Sequence, residues 1–290
     1  MVKLDKLITD DKIRQKSFWQ IVIIRFNSNK LARFSLFFIV ILASLTVIIP
    51  LVSSYDYSMP DFVNSLEPPS IKHWFGTDGL GRDLFVRTFI GGRITFEIAF
   101  MATIAVMCIG IIYGAIAGFV GGIVDTLMMR FVDILYGIPF LFFSILLITL
   151  FGQSLFVSFV AIAAISWLDM ARVVRGQTIG LRHKEFIEAA ILYNLPRWAI
   201  IINHIIPNLL GVVIVYLALV VPNMIVLSAV LSFFGLGVME PMTSWGVLIS
   251  DGANNMTAWW LLLFPSLMMI TTLLAFANIA NGLRDALDPR

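Results

Sequence analysis

The sequence predicts an all-α integral membrane protein with six transmembrane helices, and three observations carry that prediction. Of its 290 residues 59 % are hydrophobic and only 13 % charged, against about half and about a quarter in soluble domains, and mean hydropathy is +0.94. Apolar runs long enough to cross roughly 30 Å of hydrocarbon recur along the chain. Lysine and arginine favour one side of those runs. With the amino terminus inside, all 20 fall in inner segments except Lys72, Arg82, Arg87 and Arg93. The positive-inside rule then places both termini in the cytoplasm.

Residues 1–33 read as a cytoplasmic segment. In it Phe18, Trp19, Ile21, Val22, Ile23 and Ile24 stand among Arg14, Lys16 and Arg25, the composition of a helix lying on the inner leaflet. The first span is expected at 34–52. Roughly thirty polar and basic residues precede it, more than a signal-peptide n-region holds, and no A-x-A cleavage site follows, so it is read as retained. Residues 53–93 form an extracytoplasmic loop. The core at 94–280 holds five further spans, four of them at Phe96–Val120, Phe131–Phe151, Leu209–Phe234 and Trp259–Ala280. A shorter run, Leu155–Met170, ends near Trp167 and Asp169 and is the weakest. Without it the polar segment that follows would lie on the side opposite the amino terminus. Residues 281–290 form a cytoplasmic tail. Gly110, Gly114 and Gly118, at spacing four, make a seam for close helix packing. Trp245, Trp259 and Trp260 read as interfacial anchors, and Cys108, the only cysteine, as a buried structural thiol.

The polar segment spans 172–208. A short helix there carries Glu185, Glu188, Ala189 and Ala190, and two adjacent alanines let a helix approach a partner closely. Asn194 suits a left-handed stop, and Pro196 the first turn of a second helix, where the missing N–H costs nothing. Ile200, Ile201, His204 and Ile205 give that second helix an apolar face, and Pro207 is expected to end or kink it. The product is a helix–turn–helix knob in the cytoplasm.

Several chemistries lack their residues. No G-x-x-x-x-G-K-[ST] loop cradles phosphate, and no G-x-S-x-G or H-E-x-x-H motif occurs. His73, His183 and His204 with one cysteine form no metal-ligand spacing, and no basic tail with interleaved aromatics calls for nucleic acid. No catalytic residue and no metal ligand is therefore predicted. Glu97, Asp125, Arg130, Asp133, Asp169 and Arg172 read as charges paired or solvated at span boundaries.

The run Glu188-Ala189-Ala190, with Ile206-Pro207 closing the segment, resembles the EAA loop of ABC importer permeases, although Asn194 stands where that loop carries glycine. His204–Asn208 is similar to the H-I-L-P-N ending of peptide-type permeases. Gly76, Thr77, Asp78, Gly81, Arg82 and Asp83 resemble the F-G-T-D-x-x-G-R-D signature of the C-type subunit of oligopeptide, dipeptide and nickel importers. Leu231–Gly237, Ser244–Gly246 and Gly282–Arg290 resemble later signatures of that group, with Ser228 and Asn281 where the family often has glutamate and aspartate. The quoted motifs run from about Trp74 to Arg290. The resemblance implies a type I ABC importer permease fold in a prokaryotic plasma membrane, with the knob as the coupling loop. It also implies a heterodimer with a B-type permease, two cytoplasmic ATPases that bind the ATP and Mg, and an extracytoplasmic substrate-binding protein. That protein would dock near Asp78, Arg82, Asp83 and the 244–255 loop. No cofactor is implied for this chain, and the cargo is a peptide or a related solute. The competing expectation is an ion-coupled secondary transporter, for which Pro222 and Pro265 are the candidate helix breaks.

Overall fold

The computed structural model describes residues 18–287. Lys3, Lys6, Lys12, Arg14, Lys16 and Arg290 lie outside the described residues. Among those described, the regular elements are helical, with one isolated bridge between Thr77 and Asp83. They are α1 (Phe18–Ser28), α2 (Lys30–Val52), α3 (Leu84–Val120), α4 (Gly122–Tyr136), α5 (Phe140–Phe151) and α6 (Leu155–Arg182). A short α7 (Glu185–Leu192), a long α8 (Arg197–Phe233), α9 (Trp245–Asn254) and α10 (Trp259–Leu287) complete the chain.

Five helices, α2, α3, α6, α8 and α10, are each long and apolar enough to cross a membrane. The run expected as one span at Phe131–Phe151 is instead a bent pair, α4 and α5, turned by 80°. Gly137 and Pro139 cause the break. Proline has no N–H for the ladder and disfavours helical backbone at the residue before it. The helix that looked weakest is one of the five. Half of the most apolar window of α6 is buried, against 22 % for α2. A span enclosed by protein need not be apolar all round.

α3 and α6 form the central seam. A Cβ on Gly110 would stand 2.5 Å from Met170, one on Gly114 2.4 Å from the Ala171 carbonyl, and one on Gly118 2.7 Å from the Arg175 carbonyl. Both helices advance together, so they run parallel. A chain that leaves the end of α3 and starts a parallel helix must first recross the same thickness. The bent pair α4–α5 does so, which makes six crossings.

Several positions depart from the sequence reading. α3 starts at Leu84, within the stretch to residue 93 expected as loop, because Asp83 accepts from the Val86 N–H at 2.9 Å and caps it. Gly91 and Gly92 stay helical there because they admit α9: a Cβ on Gly92 would lie 2.8 Å from the Trp245 ring. Cys108 is exposed, because it lies off the glycine seam. Trp245 and Trp260 are packed inside, at 1 % and 7 % exposure, and of the three only Trp259 is exposed. α8 does not stop at Pro207. A wide turn at Ile201–Ile205 precedes the proline and lets the helix run on past the missing N–H. α1 packs Val22 and Phe26 inward and leaves Trp19 and Ile23 exposed. Its Phe26, with Ala32 of α2, closes on Gly282 of α10.

Candidate functional site

Two constructions sit at opposite ends of the α3–α6 seam. At the carboxyl end of α6, His183 and Lys184 link to α7. Ile187 and Ala190 face inward and are buried, while Glu185, Glu188 and Ala189 are exposed. The sequence turns sharply after one short helix because Asn194 adopts φ +56°. The Leu195 N–H then reaches the Ala190 carbonyl at 3.2 Å and the Asn194 N–H reaches Ile191 at 2.9 Å. These two bonds are a Schellman stop, which asparagine supports in place of glycine. Pro196 caps the next helix. The turn leaves apolar side chains facing outward, with Leu192 at 86 %, Tyr193 at 84 % and Trp198 at 66 % exposure. Pro207 is not part of this knob; it lies ten residues along α8 from Arg197.

Two ion pairs tie the knob's root to the neighbouring helix. Arg175 of α6 grips Asp125 of α4 with two hydrogen bonds, and Arg172 bonds Asp133 at 2.9 Å. These pairs join the carboxyl half of α6 to α4, which itself follows directly on α3.

At the other end, residues 76–84 fold into a tight loop. Gly76 and Gly81 both sit at φ +78°, and a Cβ on Gly81 would stand 1.7 Å from the Asp61 carbonyl. Only glycine fits there. Thr77 donates to the Asn64 carbonyl at 2.6 Å and accepts from the Glu67 N–H at 2.7 Å. Asp78 Oδ1 accepts from the N–H groups of Leu80 and Arg82, each at 2.9 Å. His73 Nδ1 lies 2.8 Å from Asp83 Oδ2. The signature thus folds on itself through Asp78, Gly81 and Arg82 and the Thr77–Asp83 bridge, and is fastened to Asp61, Asn64, Glu67 and His73.

This loop is also tied to a distant part of the chain. Arg82 Nε bonds Asp78 Oδ2 at 2.7 Å, and its two terminal nitrogens bond Glu240 at 2.9 and 3.1 Å. Arg87, with its side chain fully buried, lies 3.2 Å from Asp78 Oδ2 and donates to the Tyr57 carbonyl at 3.2 Å. The Arg82 guanidinium holds the Glu240 carboxyl below its ordinary range. Burial pushes the neighbouring Asp251 carboxyl up, a shift that Arg87 partly opposes. The sequence reading missed Glu240 and Asp251. Glu240 lies 158 residues from Arg82, in a connection with no motif of its own. Two arginines on the side poor in basic residues were the available signal that acids must lie near them. Among the described residues no group of three His, Cys, Asp or Glu is placed to hold a metal ion.

Comparison with known proteins shows the family of the chain. Residues 110–290 match the family described as binding-protein-dependent transport system inner membrane component. Residues 17–69, which precede the signature motifs, match the N-terminal TM domain of oligopeptide transport permease C. The oligopeptide transport system permease protein OppC of Haemophilus influenzae is 49 % identical over 286 residues, covering 98 % of this chain and 92 % of the relative. The OppC of Escherichia coli K12 is 48 % identical over 282 residues, 96 % and 93 % of the two chains. The dipeptide transport system permease protein DppC of Bacillus subtilis is 40 % identical over 268 residues, 92 % and 84 %. None of these relatives supports an ion-coupled carrier. Six helical crossings, the motif-bearing knob and near full-length identity agree: the chain belongs to the binding-protein-dependent transport system inner membrane components, and is a multi-pass permease subunit of an ABC transporter of the inner membrane.

Proposed function

We propose that this chain is the C-type half of the membrane pathway of an ATP-driven peptide importer. The names of the relatives supply the cargo class, and the α7 knob is the single observation that carries the mechanism. A short helix with an outward Glu185, Glu188 and Ala189 sits beside exposed Leu192, Tyr193 and Trp198. Such a surface stays covered in an assembled protein. Its partner is an ATPase subunit that offers an apolar cleft with a basic rim.

ATP binds to the two ATPases, with Mg, and not to this chain. Their closure displaces α7. The Arg175–Asp125 and Arg172–Asp133 pairs and the glycine seam pass the displacement to α3, α4 and α6 as one body. The far end of that body carries the Asp78–Arg82–Glu240 cluster, where a loaded substrate-binding protein docks. Each ligand favours one of two global states, and that differential binding drives alternating access. The pathway lies between this chain and a B-type permease. Both termini and the knob face the cytoplasm, and residues 53–83 face outward, as the lysine and arginine distribution supports.

The test is co-purification of ATPase subunits with tagged chain from mildly solubilised native membranes. Glu188→Arg is expected to lower ATPase recovery about tenfold or more while the permease heterodimer stays intact, since the Glu188 side chain is exposed and, among the described residues, makes no hydrogen bond or ion pair. Full recovery of ATPase with the variant would remove Glu188 from the coupling surface.

A further inference from the structure

Asp169 lies in the middle of α6, fourteen residues after Leu155 and thirteen before Arg182. At 1.5 Å per residue that is about 20 Å from either end of the helix. It therefore stands inside a helix long and apolar enough to cross a membrane, and not at the helix's end. Its neighbours Leu168 and Met170 are buried, but Asp169 faces out of the chain. The Tyr136 hydroxyl donates to Oδ1 at 3.0 Å, and among the described residues the carboxylate makes no ion pair. Arg172, the next cation on the helix, is engaged elsewhere: it bonds Asp133 and lies 4.3 Å above the Tyr136 ring.

Beside Asp169 opens a cavity of about 230 Å³, bordered by Ser166, Tyr216 and Asn223. Val220, Met224, Val226 and Leu227 form its apolar wall, and its acceptors are the Asp169 carboxylate, the Ser166 and Tyr216 hydroxyl oxygens and the Asn223 amide oxygen. A carboxylate on a membrane-spanning helix is disfavoured against lipid, so such a face borders water or a partner.

We propose that Asp169, with Tyr136, Tyr216 and Asn223, forms a transient binding site for the ammonium group of a peptide in transit. The carboxylate supplies the missing counter-charge, and the surrounding oxygens accept the remaining N–H groups. Held by one phenol instead of a fixed cation, Asp169 exchanges partners readily, which suits passage over retention. This site rests on the peptide-importer reading and adds to it a residue that touches cargo.

The test uses the assembled transporter in lipid nanodiscs, with Cys108→Ser and otherwise cysteine-free subunits. Asn223→Cys reports access to the cavity. Its labelling rate is compared for a trimethylammonium and a sulfonate methanethiosulfonate. Each rate is divided by that of the same reagent at an exposed control, Val63→Cys, and the normalised ratio is expected to favour the cationic reagent about tenfold. Asp169→Asn brings the ratio near one, while labelling of the control is unchanged. Trialanine with a free amino terminus slows the reaction and its N-acetylated form does not. An N-acetylated peptide with one lysine that also slows it assigns the site to side-chain ammonium as well. A ratio near one before Asp169 is changed, a ratio that survives Asp169→Asn, or protection by no peptide overturns the proposal. A cysteine that neither reagent reaches also overturns it, and is the result expected if a basic residue of a neighbouring subunit covers Asp169. Peptide import by the wild-type complex is measured separately; its absence counts against the importer reading whatever the labelling ratio.

Discussion

Asp78 and Glu240 both meet Arg82, but their surroundings assign them very different weights. Asp78 is 4 % exposed, and its Oδ2 is shared between Arg82 at 2.7 Å and the fully buried Arg87 at 3.2 Å. Removing a shared buried carboxylate strands a guanidinium that has left water, and breaking such a pair typically costs about 3–5 kcal/mol. The Glu240 side chain is 53 % exposed, where water already screens the pair and the usual worth is about 0–1 kcal/mol. Thermal unfolding of the detergent-solubilised subunit should therefore show a large drop for Asp78→Asn and a small one for Glu240→Gln. Equal effects would mean that the Glu240 pair is not screened by water in the subunit itself. Glu240→Gln should instead register in binding-protein docking, where its charge is still available to a solvent-side partner. The sequence singled out Asp78 and Arg82 because both stand in one short signature motif. Glu240 and Asp251 were invisible because ion pairs between distant segments leave no periodic trace.

Helices show which parts of the fold are legible in a one-dimensional pattern. Apolar length located α2, α3, α8 and α10, and the spacing of Gly110, Gly114 and Gly118 marked a packing seam, because each property is local. The bend between α4 and α5 was harder to see, since Gly137 and Pro139 lie inside an unbroken apolar run and hydropathy does not register backbone direction. α6 looked weak because its polar residues face protein and a cavity in place of lipid. The knob's turn was readable at Asn194, whose left-handed backbone is a local preference. The persistence of α8 through Pro207 was not, because the wide turn at Ile201–Ile205 that absorbs the proline has no composition of its own. The seam also carries a prediction. A side chain at Gly114 would begin 2.4 Å from the Ala171 carbonyl and 2.9 Å from the Arg175 N, both backbone atoms that cannot swing aside. Gly114→Leu must therefore push α6 away from α3, at a cost of about 1–3 kcal/mol or more. If α3 and α6 transmit motion as one body, complexes that still assemble will hydrolyse ATP without stimulation by loaded binding protein. Retained stimulation in an assembled Gly114→Leu complex would send the coupling through another pair of helices.

The whole molecule has a polarity that follows from one geometric fact, the parallel course of α3 and α6. Because they run together, α4 and α5 must recross, the knob must lie at the end opposite the 53–83 loop, and an odd number of crossings separates the two. Had the bent pair only dipped into the membrane and returned, α6 would have run antiparallel to α3, and α7 would share a side with residues 53–83. Impermeant maleimide labelling in intact spheroplasts and in lysed ones separates these cases. In a Cys108→Ser background, Val63→Cys, 91 % exposed in the loop, is expected to label in intact cells. Tyr193→Cys, 84 % exposed at the knob's tip, is expected to label only after lysis, and then only when the ATPases have been stripped away. Protection of Tyr193→Cys by bound ATPase joins the topology to the coupling surface in one measurement. Both cysteines labelling from the same side would contradict the six crossings. Reversed sidedness would preserve the fold while overturning the cytoplasmic assignment of the knob, because the helix directions fix only that the two surfaces are opposed. The excess of lysine and arginine at the knob's end is what chooses between the two orientations, since basic residues are retained on the cytoplasmic side during insertion.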